Sequence, residues 1–167
     1  MLDAQALRAA QAPLKDRYRQ QPETALVELT ARGVLDGEGV TCLVERRTGD
    51  IAGLHPAAGG DGSQLCSGDM LLEALVACAG VTLMAVATAM GVVIRRGWVE
   101  AAGDLDFRGT LGVVREIPVG FVAIRLGFAL DTDSHLDALD KLLKLTDRYC
   151  VVSQSLATRP VMTIAKL

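Results

Sequence analysis

The residues from Ala74 to Ile94 carry no charge, and that stretch limits the folds open to the chain. It is long enough to cross a bilayer as a helix. Its composition points elsewhere. It is rich in alanine, contains Gly80 and Gly91, and carries the hydroxyls of Thr82 and Thr88. No second span and no aromatic belt accompany it. The expectation is a helix apolar on nearly all sides, placed at the centre of a fold or in an interface. No membrane is expected as a partner.

The 167 residues suit one domain with a small appendage. Aromatic residues make up only 4%, so Ala, Val and Leu must fill the core. The net charge is −3 and no block of Lys and Arg forms a stripe. A phosphate backbone finds little to hold, so no nucleic-acid partner is expected. The start, MLDAQALRAAQAPLKDRYRQ, has an acid at Asp3 and no apolar run, unlike a secretory signal. A cytoplasmic, reducing setting is therefore expected for Cys42, Cys66, Cys78 and Cys150. With no C-x-x-C and two histidines, zinc is poorly supported, and no metal or other cofactor is expected.

Leu2 to Thr24 reads as a helix in which Pro13 opens a turn, and residues 1–24 are expected to form an N-terminal helical extension. Ala25–Arg32, Val40–Arg46 and Asp50–Leu54 read as strands, with Gly33–Gly39 a turn. His55–Gly68 is a loop, and Asp69 is placed to cap the apolar helix, which Gly91 ends. Trp98–Phe107, Leu111–Glu116 and Phe121–Leu130 read as strands. The last alternates Val122, Ile124, Leu126, Phe128 and Leu130 with smaller or polar residues. Ser134 and Asp137 resemble a capping box before a helix lined by Leu136, Leu139, Leu142 and Leu143. A break near Arg148–Cys150, one short helical turn and a strand from Pro160 to Ala165 complete an α+β order.

Two cysteines stand out by position. Cys78 lies within the apolar helix, in LLEALVACAG, and Cys150 follows the amphipathic helix, in DRYCVVSQSL. Each, taken alone, is as readily a small core residue as a reactive one. Cys42 reads as core and Cys66 as a possible second redox partner. The glycine-rich GLHPAAGGDG at 53–62 lacks the Gly-Lys-Ser/Thr ending of a phosphate loop and reads as a surface loop or a substrate lid. His55 and His135 read as polar loop and first-turn residues. Ser153 and Ser155 lack the His and Asp of a hydrolase set.

Two segments carry a resemblance. SGDMLLEALVACAGVTL (67–83) resembles the first-cysteine helix, and RYCVVSQSL (148–156) the second-cysteine segment, of the osmotically inducible protein C and organic hydroperoxide resistance (OsmC/Ohr) family. The resemblance extends over roughly residues 25–167. It implies antiparallel sheets around a buried central helix, and an intertwined homodimer with sites at the subunit interface. It implies that Cys78 is the peroxidatic cysteine and Cys150 the resolving one. Asp69 stands where many members have a Glu, Gly68 where Pro is usual, and Val151 where some members have Pro. Glu73, one turn on, is the substitute for the family acid. The family also uses an arginine from the N-terminal sheet, for which Arg46 is favoured over Arg47 and Arg32.

These residue types suit the implied chemistry. A free thiol is mostly protonated at neutral pH, and only the thiolate attacks. Cys78 lies too far from the helix start for the helix dipole to help it, so a cation is expected beside it. The partners implied are an organic hydroperoxide, held by apolar walls, and a thiol or dithiol reductant that resets the disulfide. Two other classes stay open: a non-catalytic binding or scaffold module with buried cysteines, and a hydrolase using Cys78 as its nucleophile.

Overall fold

The computed structural model describes residues 4–35, 42–44 and 52–167. A helix α1 (Ala4–Gln20) leads through a 3-10 turn into β1 (Leu26–Leu35), and β2 (Leu43–Val44) follows. The long helix α2 (Ser67–Met90) comes next, then β3 (Arg96–Asp106), a single turn α3 (Phe107–Thr110) and β4 (Phe121–Asp131). Helices α4 (Leu136–Tyr149) and α5 (Val151–Ser155) precede the last strand, β5 (Val161–Lys166). The α+β class is as the sequence indicates. The expected strand Val40–Arg46 lies mostly outside the described residues. Of Asp50–Leu54, Ala52 makes one isolated bridge with Leu65.

The strands form one sheet in the order β2-β1-β3-β4-β5. Its first four strands pair antiparallel, with Leu29 opposite Gly103 and Val99 opposite Phe128. β5 instead runs parallel to β4. The cause is topological: α4 and α5 form a crossover between the two strands, and a crossover returns the chain in its original direction.

One face of the sheet carries α2. Leu29, Ala31 and Leu35 of β1, Val99 and Ala101 of β3, and Ile124, Leu126 and Phe128 of β4 all point into this core. From the helix, Leu72, Leu75, Val76, Ala79 and Leu83 are fully buried against them. Each such leucine contributes roughly 1.5–3 kcal/mol by leaving water. α4 covers a flank of α2 with Leu139 and Leu142. The other side of α2 is open. Leu71, Ala74, Val81 and Ala85 form an exposed stripe, with Cys78 half-buried along it. The helix is long and apolar enough to cross a membrane, yet half of its most apolar window is buried within the fold.

The opposite face of the sheet is polar. There Arg125 joins Asp104 and Glu28, and Arg32 pairs with Glu100 at 3.3 Å while lying over the Trp98 ring.

Several local expectations are corrected. α2 starts at Ser67 with Cys66 at its cap position, so Asp69 is a buried first-turn residue rather than the cap. Its carboxylate there faces the positive end of the helix dipole. α4 starts after His135, without a side-chain cap, because Thr132 takes up the Ser134 N–H at 3.3 Å. Leu111–Glu116 is not a strand. Asp106 caps α3, Gly112 adopts the left-handed region at φ 62°, and the chain turns twice before Pro118. Pro13 lies inside α1. The carbonyl it leaves unpaired belongs to Ala9, an exposed residue open to water.

Helix α1 is anchored. Tyr18 is fully buried and donates to the Ala57 carbonyl at 2.8 Å, and Gln11 donates to the Ala58 carbonyl at 3.1 Å. Tyr18, Ala25, Ala58, Phe107 and Leu111 form a second small core.

At Gly91 the backbone enters the left-handed region at φ 69°, which ends α2 and turns the chain toward β3. Gly80 has a different task. A Cβ there would lie 2.5 Å from the Cys42 sulfur and 3.2 Å from Leu35, so the glycine lets α2 approach the sheet closely. Gly80→Val is therefore expected to destabilise the protein by about 1–3 kcal/mol through overpacking, read as a lowered urea midpoint. An unchanged midpoint would contradict that packing.

Candidate active site

Cys78 is half-buried, deep within α2. Cys150 is fully buried and is shared by two helices. It is the C-terminal cap of α4, its N–H bonding the Thr146 carbonyl at 2.9 Å, and also the cap residue from which α5 starts. The backbone at Cys150 is extended, with φ −72° and ψ 106°, so α4 stops and a new helix begins one residue later. The first N–H groups of any helix have no partner inside it. In α5 those groups belong to Val151 and Val152, and both act on the Cys78 sulfur, lowering its pKa.

The sequence places these two cysteines far apart, and the fold brings their thiols within hydrogen-bonding reach of each other. Their environments pull them in opposite directions. Burial pushes the Cys78 thiol up. The Val152 N–H, the Cys150 thiol, the Thr82 hydroxyl and the Val151 N–H all bond to its sulfur and together bring its pKa below the ordinary value. Cys150 is pushed up to about 11, first by burial and then by the neighbouring Cys78. The N–H groups of Ser153 and Val152 offset part of that rise. Cys78 is thus the more acidic thiol of the pair and Cys150 the less acidic one.

The expected cation is not among these groups. Arg46 and Arg47 lie outside the described residues. Arg32 is on the far face of the sheet, engaged with Glu100 and Trp98. Among the described residues, the thiolate is favoured by two backbone N–H groups, a hydroxyl and a thiol. Sequence reasoning missed this set. Its signal was the helix break around Cys150, because a helix restarting there must present free N–H groups at Val151 and Val152.

Asp69 and Glu73 are both buried in the first two turns of α2, and each is engaged in a polar contact. Cys66 sits twelve positions before Cys78 on the same helix, roughly 18 Å along its axis, which separates it from the thiol pair. Cys42 faces α2, donating to the Val76 carbonyl at 3.7 Å, and burial pushes its thiol to about 11, which makes it an inert core residue. His55 stacks on Phe107 with ring centres 5.1 Å apart. Ser153 donates to Asp147 and Ser155 to the Val151 carbonyl, with no histidine in either bond. No three His, Cys, Asp or Glu side chains among the described residues converge as a metal-binding group.

A cavity of about 940 Å³ runs mainly over the polar face of the sheet, where Thr30, Arg32, Glu100 and Arg125 line it. Asp69 and His55 reach its margin. Neither sulfur of the pair lines it. The paired thiols, rather than this space, mark the candidate site.

The sequence profile described as OsmC-like protein matches residues 60–165, more than half of the chain. No curated protein sequence matches significantly. Among solved structures, an OsmC-like hydroperoxide resistance protein from Jannaschia sp. CCS1 is similar at a TM-score of 0.57 and 17% identity, over 82% of this chain and 90% of that one. An OsmC-like protein from Mycoplasma pneumoniae is similar at a TM-score of 0.54 and 15% identity, over 80% of this chain and 95% of that one. At these identities the structural likeness is one of fold. The profile match spans both cysteine segments of the thiol pair, and with it the chain belongs to the OsmC-like protein family.

Proposed function

We propose that the protein is a thiol peroxidase that reduces organic hydroperoxides through Cys78 and Cys150, an antioxidant role in a stress response. The observation that carries this reading is the pairing of a half-exposed thiol of lowered pKa with a buried, protonated one. The name of the Jannaschia protein, hydroperoxide resistance, is consistent with it.

In the proposed cycle the Cys78 thiolate attacks one oxygen of the O–O bond. The bond breaks heterolytically, Cys78 becomes a sulfenic acid, and the departing alkoxide takes a proton to leave as an alcohol. The Cys150 sulfur then attacks the Cys78 sulfur, the sulfenic oxygen leaves as water, and a disulfide remains. Two electrons from a thiol or dithiol reductant return both cysteines to thiols by exchange. The apolar residues beside Cys78 on α2, Ala74 and Val81, favour a hydrocarbon tail over bare hydrogen peroxide. Arg46 is the proposed cation for the peroxide and the leaving alkoxide, with Asp69 the proposed acid that orients it. In this reading residues 25–167 form the OsmC-like domain and residues 1–24 an extension docked on it, in a cytoplasmic protein.

The same reading includes a homodimer. The exposed stripe Leu71, Ala74, Val81 and Ala85 is small and apolar, and it passes through Cys78. A second copy of α2 is an occupant with a matching surface. Val81→Asp is expected to convert the dimer to monomer in sedimentation velocity. Wild type that sediments as a monomer at all concentrations would remove this part.

One equivalent of cumene hydroperoxide should consume two thiols per chain and leave a Cys78–Cys150 disulfide in peptide mapping. Cys78→Ser should leave the peroxide unreduced, and Cys150→Ser should accumulate sulfinic acid on Cys78. Retention of all thiols would favour the binding module, and ester turnover independent of Cys150 the hydrolase. In the reduced protein, iodoacetamide should modify Cys78 before Cys150 at pH 7. The Cys78 rate should rise with pH to a plateau, with its midpoint below the roughly 8.5 of a free thiol. A midpoint above that value would argue against an activated nucleophile.

A further inference from the structure

Behind the thiol pair, three elements are tied together by polar bonds that the peroxidase reading does not use. Asp147, in the last turn of α4, accepts from Arg159 Nη2 at 2.7 Å and from Ser153 Oγ at 3.2 Å, both on the same carboxylate oxygen. The other arm of Arg159 donates to the Ser153 carbonyl at 3.3 Å. The Asp147 carbonyl accepts from the Gln154 side chain at 2.7 Å. Arg159 itself lies in the turn between α5 and β5. Asp147 and Arg159 therefore hold α5 from both ends of the connection, and Ser153, fully buried, sits between them.

The clamp has little else to do. Asp147 and Arg159 are each more than 40% exposed, and ion pairs that open to water add little to stability. A helix of five residues has no stability of its own, so its orientation must come from tertiary contacts. What that orientation decides is how the first turn of α5 packs on α2, where the Val151 and Val152 N–H groups come near enough to the Cys78 sulfur to lower its pKa. The charged groups at this junction among the described residues are Asp147 and Arg159. Arg148 turns aside over the Tyr149 ring, and from α2 the acids are Glu73, five residues before Cys78, and Asp69, nine before it, both buried.

We propose that Asp147, Arg159 and Ser153 are positioning residues that aim the α5 backbone donors at Cys78 and thereby set its reactivity. This deepens the peroxidase reading and rests on Cys78 as its nucleophile. Their side chains bond one another and the backbone of α4 and α5, and they act on Cys78 through the backbone of α5.

The test is the pH midpoint of Cys78 alkylation by iodoacetamide in the reduced, full-length protein, followed by quantitative mass spectrometry of the Cys78 peptide. Asp147→Asn separates the two ways in which the clamp can act. Loss of an anion, through charge alone, lowers a nearby thiol pKa, whereas misaimed donors raise it. The expected result is a rise, seen as alkylation about tenfold slower at pH 7. Arg159→Gln should behave likewise and Arg159→Lys should recover most of the rate. Ser153→Ala, which keeps both charges, should shift the midpoint the same way by less. A midpoint that falls or stays fixed in the variants that retain the wild-type circular dichroism spectrum would overturn the proposal. Because alkylation needs no peroxide, this result stands apart from peroxide turnover: a protein that shows the shifts but reduces no hydroperoxide retains the positioning role and loses the peroxidase reading.

Discussion

The cover that α2 requires organises the molecule. A helix without a charge from Ala74 onward gains little from water on any side. The sheet takes one side, through alternating residues of β1, β3 and β4, and α4 takes a flank. Gly80 removes the side chain that would otherwise hold the helix off β1. Cys78 is carried into position by this packing: the same rotation of α2 that buries Leu75, Val76, Ala79 and Leu83 turns Cys78 toward the junction of α4 and α5.

That junction gives two chemically identical thiols different roles. Cys78 keeps partial access to solvent and collects donors. Cys150 lies wholly inside, where ionisation is opposed by burial and by the negative charge next door. The difference is not set by chain neighbours alone, Ala77 and Ala79 beside Cys78, Tyr149 and Val151 beside Cys150. It comes from the extended backbone at one residue, which ends one helix and starts another.

Much of this was legible in the sequence. The period-two alternation in Phe121–Asp131 and the heptad-like leucines of α4 gave their elements directly, and Gly91 marked the end of α2. The pairing of Cys78 with Cys150 came from a resemblance; nothing in periodicity or spacing foretold it. Local reasoning failed at turns and helix boundaries. Leu111–Glu116 has the residues of a strand, but Gly112 and Pro118 turn it. Asp69 has the residue type of a cap but lies one turn inside. The Val151 and Val152 donors leave no mark in composition, and only the helix break at Cys150 signals them.

The brevity of α5 has a consequence for the life of the chain. Five residues do not hold a helix in water, so the donors around Cys78 exist only once the crossover has docked. Before that, on a chain still emerging or on one that has misfolded, Cys78 is an ordinary thiol with ordinary acidity. The backbone donors gather near the sulfur only as α5 docks, and disperse when it leaves. On the proposed peroxidase reading, peroxide chemistry at Cys78 would be confined to molecules that have completed their fold.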